Sequence, residues 1–185
     1  MPDQAGERPE RLFIGVPLTE DTRRSIARAL PRSLPGKLVP VENWHFTLRF
    51  LGATKLHVRE KLVKSLADAA YPWRFDIVFN ALGAFPNPRR ARVLWLGADE
   101  GEEKMVSLAA IAEAAARSAG FAAESRAFTA HLTLCRLDPP ASVTTLLASK
   151  PRFDTRMTVD RIVLFRSRLG GGPARYEEVE SFPLG

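Results

Sequence analysis

The sequence predicts an α+β fold in which antiparallel sheets are flanked by helices, and three observations point to this class. Strand-like runs are short and lie beside turn signals. Segments with helical periodicity lie between them without the regular spacing of βαβ units. The pattern His-x-Thr-Leu occurs twice, at residues 45–48 and 131–134, each time in a strand-like segment. The chain is therefore expected to repeat one structural plan in two similar units.

The first unit is predicted to open with a strand, a helix and a short extended piece. Residues 11–17 are an apolar run that a proline closes. Thr19 has the side chain of a helix N-cap, and two acidic residues follow it, where the helix dipole favours them. That helix is expected to end near Leu30, before a proline, and residues 37–40 are expected to be extended.

The strand at residues 44–51 carries the first motif, and strict alternation sorts its side chains onto two faces. Gly52 is predicted to end the strand, and Thr54 is predicted to cap a helix that runs to about Ala70. The alternation places His45, Thr47 and Arg49 on one face and Phe46, Leu48 and Phe50 on the other.

The second unit is predicted to repeat this order. Strands are expected at residues 75–79 and 92–96, separated by a loop at 85–90 that is rich in proline and arginine. A helix is expected at residues 102–119, and the second motif lies in a strand at 131–137. Three elements are expected to close the chain: a short helix at residues 142–149 and strands at 161–165 and 176–182.

Length and composition restrict the kind of protein. The 185 residues suit a single domain of two lobes over residues 1–185, with a flexible stretch at residues 1–9. No apolar run approaches the roughly 20 residues of a membrane span, and the first residues lack the apolar segment of a signal peptide. Because Cys135 is the only cysteine, no internal disulfide can form, and a cytoplasmic location is expected. The protein is also expected to be a monomer. The net charge of +6 favours a polyanionic partner such as nucleic acid.

The two motifs supply groups suited to proton transfer. Histidine has an ordinary pKa near neutrality, and each motif places an imidazole and a threonine hydroxyl on one face of a strand. Across a shared groove, a neutral histidine can take a proton from water while a protonated one gives a proton to the departing oxygen of a phosphate. The hydroxyls of Thr47 and Thr133 can donate to the non-bridging oxygens. This chemistry requires no metal and no cofactor.

Simpler explanations exist for such residues. A lone histidine usually satisfies a hydrogen bond in the core, and threonine is common in strands. His57 is expected to be solvated on its helix, and Cys135, expected on the face of His131 and Thr133, is expected to serve packing. Three scattered histidines and one cysteine lack the spacing of a zinc site. Three arginines in and beside the proline-rich loop carry the hypothesis of contacts with a longer RNA strand: Arg89, Arg90 and Arg92.

Distinctive blocks of sequence surround both motifs and run in order along almost the whole chain. They lie at residues 11–14, 43–52, 92–97, 131–136 and 176–184. These blocks resemble the two-histidine (2H) phosphoesterase superfamily. Within it, they are most similar to the LigT-like bacterial and archaeal RNA 2′,3′-cyclic phosphodiesterases, also called 2′-5′ RNA ligases.

The resemblance implies a bilobal fold, with two pseudo-symmetric lobes of antiparallel sheet flanked by helices around a central groove. It also implies hydrolysis of the terminal 2′,3′-cyclic phosphate of an RNA, such as a tRNA fragment, to a 2′-phosphate without a metal. By motif position, His45 would be the proton donor and His131 the proton acceptor that activates water. The substrate-binding residues implied are Thr47, Thr133 and Arg136 at the phosphate and Phe13 at the base or ribose.

The chain departs from the family pattern just before the second histidine, where members commonly have proline and this chain has Ala130. Strict alternation along the strand at residues 131–137 also places Arg136 on the face opposite His131. A bulge, the end of the strand or a reach around its edge would be needed to bring the guanidinium to the phosphate.

Other activities remain open at this point. The same two histidines could join RNA ends reversibly through 2′-5′ linkages without ATP, with a ribose 2′-hydroxyl attacking in place of water. Small cyclic nucleotides could also be substrates. A non-catalytic RNA-binding module is a third possibility, which the presence of both histidines and both threonines disfavours.

Overall fold

Antiparallel pairing joins all the strands of the computed structural model, which describes residues 8–151 and 153–185. The predicted flexible stretch at residues 1–9 lies outside the described residues except for its last two positions. The α+β class predicted from the sequence is confirmed, because helices lie between the strands along the chain.

The strands and helices are numbered here in chain order. The strands are β1 (Glu10–Pro17), β2 (Lys37–Leu38), β3 (His45–Thr54), β4 (Phe75–Phe85), β5 (Ala91–Ala98), β6 (His131–Ala141), β7 (Thr155–Val159), β8 (Arg161–Arg168) and β9 (Arg175–Pro183). The helices are α1 (Glu20–Ala29), α2 (Leu56–Ala67), α3 (Glu102–Ser118) and α4 (Thr144–Ala148).

The sheet consists of two halves that meet inside the two motifs. The strand order is β7-β4-β5-β6-β3-β1-β8-β9, with β2 paired beside β6. Within the described part of the chain, β3 and β6 share one pair of facing residues, Phe46 and Leu132. The motif strands are therefore neighbours, and each half of the sheet contributes one of them, as the two-lobe prediction requires.

Helices pack on one side of this junction. Phe46 and Leu132 are fully buried in the main core, together with side chains from three helices. The helix residues in that core include Ile26, Leu62, Leu66, Met105 and Leu108. We call the opposite side of β3 and β6, which carries His45, Thr47, His131 and Thr133, the open face. No helix in the described ranges is long and apolar enough to cross a bilayer.

Predicted helix starts agree with the structure in one case and not in another. Thr19 caps α1 as expected, since its hydroxyl oxygen accepts from the backbone N–H of Thr22 at 3.2 Å. Thr54 does not cap α2. It is the last residue of β3, and its hydroxyl donates to the carbonyl of Gly52 at 3.1 Å. Gly52 does not end the strand either, because its positive φ of 71° lets β3 continue past an irregular position.

Several strands are longer than their sequence patterns suggested. β4 and β6 extend to Phe85 and Ala141, and β7 was not predicted at all. β7 alternates buried and exposed residues over only five positions, a short pattern that arginine and threonine make polar on its outer side. The predicted helix at residues 142–149 is present but shorter, and the helix at 102–119 is confirmed as α3.

A bulge in β3 redirects Arg49 to the helix side. Ile14 of β1 pairs with Arg49, whereas the next residue, Gly15, pairs with Thr47, so one residue of β3 is extra. The predicted placement of Arg49 beside His45 is therefore wrong. Arg49 is 11 % exposed, and its Nε lies 2.6 Å from Oε2 of Glu113 on α3. Its Nη2 donates to the carbonyl of Ala122 at 2.6 Å, which ties β3 to the segment that leads into β6.

Replacing Arg49 with methionine should destabilise the fold, because Glu113 would keep a half-buried charge without its partner. We expect the free energy of unfolding to fall by about 3 kcal/mol, measured by urea denaturation. Lys64→Met is the matched control, since it breaks an exposed pair with Asp68 and should cost less than about 1 kcal/mol. Equal losses in the two variants would contradict this role of Arg49.

Candidate active site

The two motif histidines lie on neighbouring strands, on either side of the Phe46–Leu132 pair. Continuing this antiparallel register places His45 across from Thr133, and Thr47 across from His131. Each imidazole therefore faces the hydroxyl of the other motif on the open face. The structure thus brings together the four residues that the repeated pattern singled out.

Both imidazoles are held by the same backbone contact. Nδ1 of His45 donates to the carbonyl of Asn43, and Nδ1 of His131 donates to the carbonyl of Thr129, each at 2.8 Å. Because a carbonyl can only accept, the neutral rings carry their proton on Nδ1 and leave Nε2 free to accept one. Nε2 of His45 lies 2.9 Å from the hydroxyl of Thr47, which donates to it in this tautomer.

Aromatic rings surround His45 on β3. The ring centroids of Phe13, Tyr176 and Phe165 lie 4.7, 5.0 and 6.0 Å from that of the imidazole. Phe13 is 3 % exposed and stacks on Phe165 at 5.0 Å. Phe13 thus packs against the imidazole, and its contact with a base or ribose stays a prediction.

His131 has an aromatic wall of its own. The rings of Phe85 and Trp95 are inclined to it at 87° and 63°, with centroids 5.1 and 6.3 Å away. Trp95 lies across Gly83 of β4, where a Cβ atom would come within 2.1 Å of the indole. Glycine at this position therefore allows the indole to reach the side of His131.

Burial governs the protonation of both histidines. The pKa of His45 is lowered to about 4, and burial is the largest cause. The carbonyl of Asn43 opposes this shift, and the nearby charges of His131 and Arg23 contribute to it. Burial also lowers the pKa of His131, again against a carbonyl, and the charge of Arg136 adds to the lowering. Both imidazoles are therefore mainly neutral at pH 7.

A bulge in β6 brings Arg136 to the open face. Trp95 of β5 pairs with Thr133, but the preceding Leu94 pairs with Cys135, so Leu134 is the extra residue. Arg136 then pairs with the residue two before Trp95, which puts it on the same side as Thr133. Of the three arrangements that would bring the guanidinium to the phosphate, the structure has the bulge.

The same bulge removes Cys135 from the face of His131, where strict alternation had placed it. The thiol is buried in a separate small core beside Leu94 and Leu137, and it donates to the carbonyl of Pro35 at 2.8 Å. Burial raises the pKa of this thiol. The placement predicted for Cys135 is wrong, but the packing role is confirmed.

The bulges of β3 and β6 occupy equivalent places in the two motifs, so Phe50 and Arg136, each five residues after its histidine, correspond. Phe50 pairs with Phe13 and lies on the open face, 6.0 Å from the Phe13 ring and 63 % exposed. Strict alternation places Phe50 on the face opposite His45, which is wrong. Comparing the two motif copies beyond their first four residues would have revealed this correspondence.

The remaining candidates lie apart from the imidazoles. His57 is exposed on α2, as expected. Arg89 and Arg90 are exposed in a 3-10 turn, where their backbone N–H groups donate to Oδ1 of Asn87. Arg92 is exposed on β5, and RNA contacts by these three arginines stay a prediction. Arg23 of α1, which no sequence pattern indicated, is near enough to His45 to affect its pKa.

A family model described as LigT-like phosphoesterase matches the chain twice in succession, over residues 16–95 and 96–174. Each match contains one motif. Among curated relatives, an RNA 2′,3′-cyclic phosphodiesterase of Aquifex aeolicus is 30 % identical, with 95 % of this chain and 97 % of that protein covered. One of Geobacillus stearothermophilus is 32 % identical over 93 % of this chain. There the chain spans only 56 % of the relative's length.

Solved structures agree with the sequence matches. The crystal structure of Escherichia coli LigT in apo form superposes with a TM-score of 0.83 at 25 % identity, covering 96 % of this chain and 99 % of that one. LigT complexed with 3′-AMP superposes with a TM-score of 0.81 at 26 % identity, covering 95 % and 98 %. The bilobal LigT-like fold that the resemblance implied is thereby confirmed.

The depressed pKa values make stability depend on pH in a defined direction. An unfolded histidine has a pKa near 6.5, so between about pH 6.5 and 4 the unfolded state binds protons that folded His45 does not. We therefore expect the free energy of unfolding to fall as the pH decreases through this window, and His45→Gln to reduce that slope. Urea denaturation at several pH values between 4.5 and 7.5 measures this slope.

The control for this experiment is His57→Gln, which removes an exposed histidine from α2 and should leave the wild-type slope in place. Adding His131→Gln to His45→Gln should flatten the profile further, because the pKa of His131 is lowered as well. An unchanged slope in His45→Gln would show that the folded imidazole titrates like an unfolded one.

Proposed function

Since the chain belongs to the LigT-like phosphoesterase family, we propose that it hydrolyses the 2′,3′-cyclic phosphate at the end of an RNA to a 2′-phosphate. The observation that carries this proposal is the pair of imidazoles on adjacent strands, each with Nδ1 tied to a carbonyl and Nε2 left for proton exchange. Two hydroxyls and the guanidinium of Arg136 share their face. Such a set suits a displacement at phosphorus, in which a proton is removed at one end and added at the other.

The proposed reaction is a single in-line displacement. Nε2 of His131 takes a proton from water, and the water oxygen bonds to phosphorus. The bond between phosphorus and the 3′-oxygen breaks, and Nε2–H of His45 gives its proton to that oxygen. Hydrogen bonds from Thr47 and Thr133 and the charge of Arg136 stabilise the negative charge that builds on the non-bridging oxygens.

The proton donor must be charged before this step, although burial holds the pKa of His45 at about 4. An anionic phosphate beside the ring favours the imidazolium, because an opposite charge within a few ångströms raises the pKa of a histidine. The Nδ1–H bond to Asn43 is available in both protonation states. The ring can therefore gain a proton on Nε2 without turning.

The part of the site around His45 and Phe50 suits the nucleoside of the substrate. Phe50 exposes an aromatic ring on the open face, next to the cluster around His45. Bases stack on such rings regardless of sequence. The nucleoside thus lies towards Phe50, and the charge of the phosphate lies towards Arg136.

Replacing either histidine with alanine should nearly abolish turnover, because each performs one of the two proton transfers. We expect kcat to fall by at least about 100-fold in His45→Ala and in His131→Ala. The assay is hydrolysis of an oligoribonucleotide ending in a 2′,3′-cyclic phosphate, with EDTA present, followed by identification of the product phosphate. His57→Ala is the matched control and should keep wild-type activity.

Circular dichroism of the variants separates loss of chemistry from loss of fold. A near-normal rate in either motif variant, or a 3′-phosphate product, would overturn the proposal. Adding a second RNA with a 5′-hydroxyl end tests for joined product, which would identify 2′-5′ ligation at the same histidines.

Binding of an anion should raise the pKa of His45. Two-dimensional NMR of the histidine ring protons, titrated with and without a saturating nucleoside 2′-monophosphate, measures the shift directly. We expect an increase of at least about one unit, the change that a close opposite charge commonly produces. A pKa that stays near 4 with the anion bound would argue against His45 as the proton donor.

A further inference from the structure

Arg23 differs from the other half-buried arginines in lacking an acidic partner. Within residues 8–151 and 153–185, the half-buried arginines are Arg23, Arg49, Arg59, Arg161 and Arg166. Four of them have a carboxylate within 4 Å: Glu113 for Arg49, Glu10 for Arg59 and Arg166, and Asp160 for Arg161. Arg23 has none among the described residues. Its buried Nε has no hydrogen-bond partner there, which is also true of Nε in Arg49 and Arg166, but each of those two has a carboxylate nearby.

Such an arrangement is costly for the folded protein. A buried donor without a partner loses its bonds to water and gains nothing in exchange, and a charged group loses more than a neutral one. A bound anion would offset this cost by supplying both a charge and an acceptor. The unpaired guanidinium therefore indicates a binding contact that is completed by a ligand.

The position of Arg23 places this contact on one side of the site. β1 ends at Pro17, which pairs directly with His45, and Arg23 lies in the first turns of the helix that follows. The charge of Arg23 also acts on His45, whereas that of Arg136 acts on His131. Arg23 is thus the cation that acts on His45, and Arg136 is the cation that acts on His131.

The direction of the proposed reaction decides which anion Arg23 can meet. His45 protonates the 3′-oxygen, so the ribose of the terminal nucleotide lies on the His45 side. From that ribose the RNA continues through the 5′-oxygen to the next phosphate. We propose that Arg23 binds this phosphate, the one joining the terminal nucleotide to the rest of the RNA. The inference rests on the proposed function and adds a preference for RNA ends over single nucleotides.

The test compares two substrates that share one reacting group. One is a dinucleotide ending in a 2′,3′-cyclic phosphate, and the other is the corresponding nucleoside 2′,3′-cyclic phosphate, which lacks the joining phosphate. In Arg23→Gln, kcat/KM for the dinucleotide should fall about 10-fold to 100-fold, the effect of losing a charged hydrogen bond. The value for the nucleoside should change by a much smaller factor, which reports the effect of the lost charge on His45 itself, and Arg23→Lys should recover part of the loss.

Arg28→Gln is the matched control, because it removes the same charge from an exposed position on the same helix. A second experiment uses a dinucleotide in which an uncharged methylphosphonate replaces the joining phosphate. On that dinucleotide, wild type and Arg23→Gln should be equally slow. The dependence of log kcat/KM on log salt for the normal dinucleotide should also become shallower by about 0.7 in Arg23→Gln, as expected for one lost phosphate contact on a single strand.

The outcomes separate this inference from the proposed function. Equal losses on both substrates would assign Arg23 to the reacting phosphate and overturn the inference, as would no loss on either. A loss in Arg23→Gln that persists on the methylphosphonate would also overturn it. Wild-type protein that opens neither cyclic phosphate would overturn the proposed function itself.

Discussion

The site depends on the backbone pairing of Phe46 with Leu132, where the two halves of the sheet meet. Both side chains are fully buried in the main core. Because neighbouring side chains on a strand point to opposite sides, burying the middle residue of each motif directs its histidine and threonine to the open face. The two histidines are diagonal neighbours across this strand pair, so the spacing of their imidazoles follows from the distance between paired strands, about 4.8 Å, from the rise of two residues along a strand, and from the core beneath them.

The same packing sets the protonation state of the two imidazoles. Aromatic rings around His45 and His131 replace water, and an imidazolium is unfavourable in such surroundings. The carbonyl contacts at Nδ1 offset part of this effect, but the pKa of each ring still falls. A neutral His131 is ready to act as a base, whereas a charged His45 requires an anion nearby. In the proposed reaction, protonation of the donor is thereby coupled to the arrival of a phosphate.

Alternation along a single strand predicted correctly which face the histidines and threonines occupy, because those residues precede the bulges. It failed from the bulge onward in both motif strands. One extra residue turns every later side chain to the other face, and this affected Phe50, Cys135 and Arg49. The extra residue arises from the register with β1 and β5, which a single strand does not encode by itself. The unpaired state of Arg23 is likewise invisible in sequence, since it depends on which carboxylates the fold brings near.

The two halves of the site share a backbone plan but differ in side chains at equivalent positions. Gly15 and Trp95 pair with the threonines of the two motifs, and Phe50 and Arg136 follow the two bulges. A phosphate between the imidazoles thus meets a cation on the His131 side and an aromatic ring on the His45 side. If the nucleoside lies against Phe50, the 3′-oxygen must depart towards His45. The phosphate that joins this nucleotide to the rest of the RNA must then lie along the same half of the sheet. Under the proposed function, the side chains that break the symmetry therefore favour a single direction for an RNA substrate across the site.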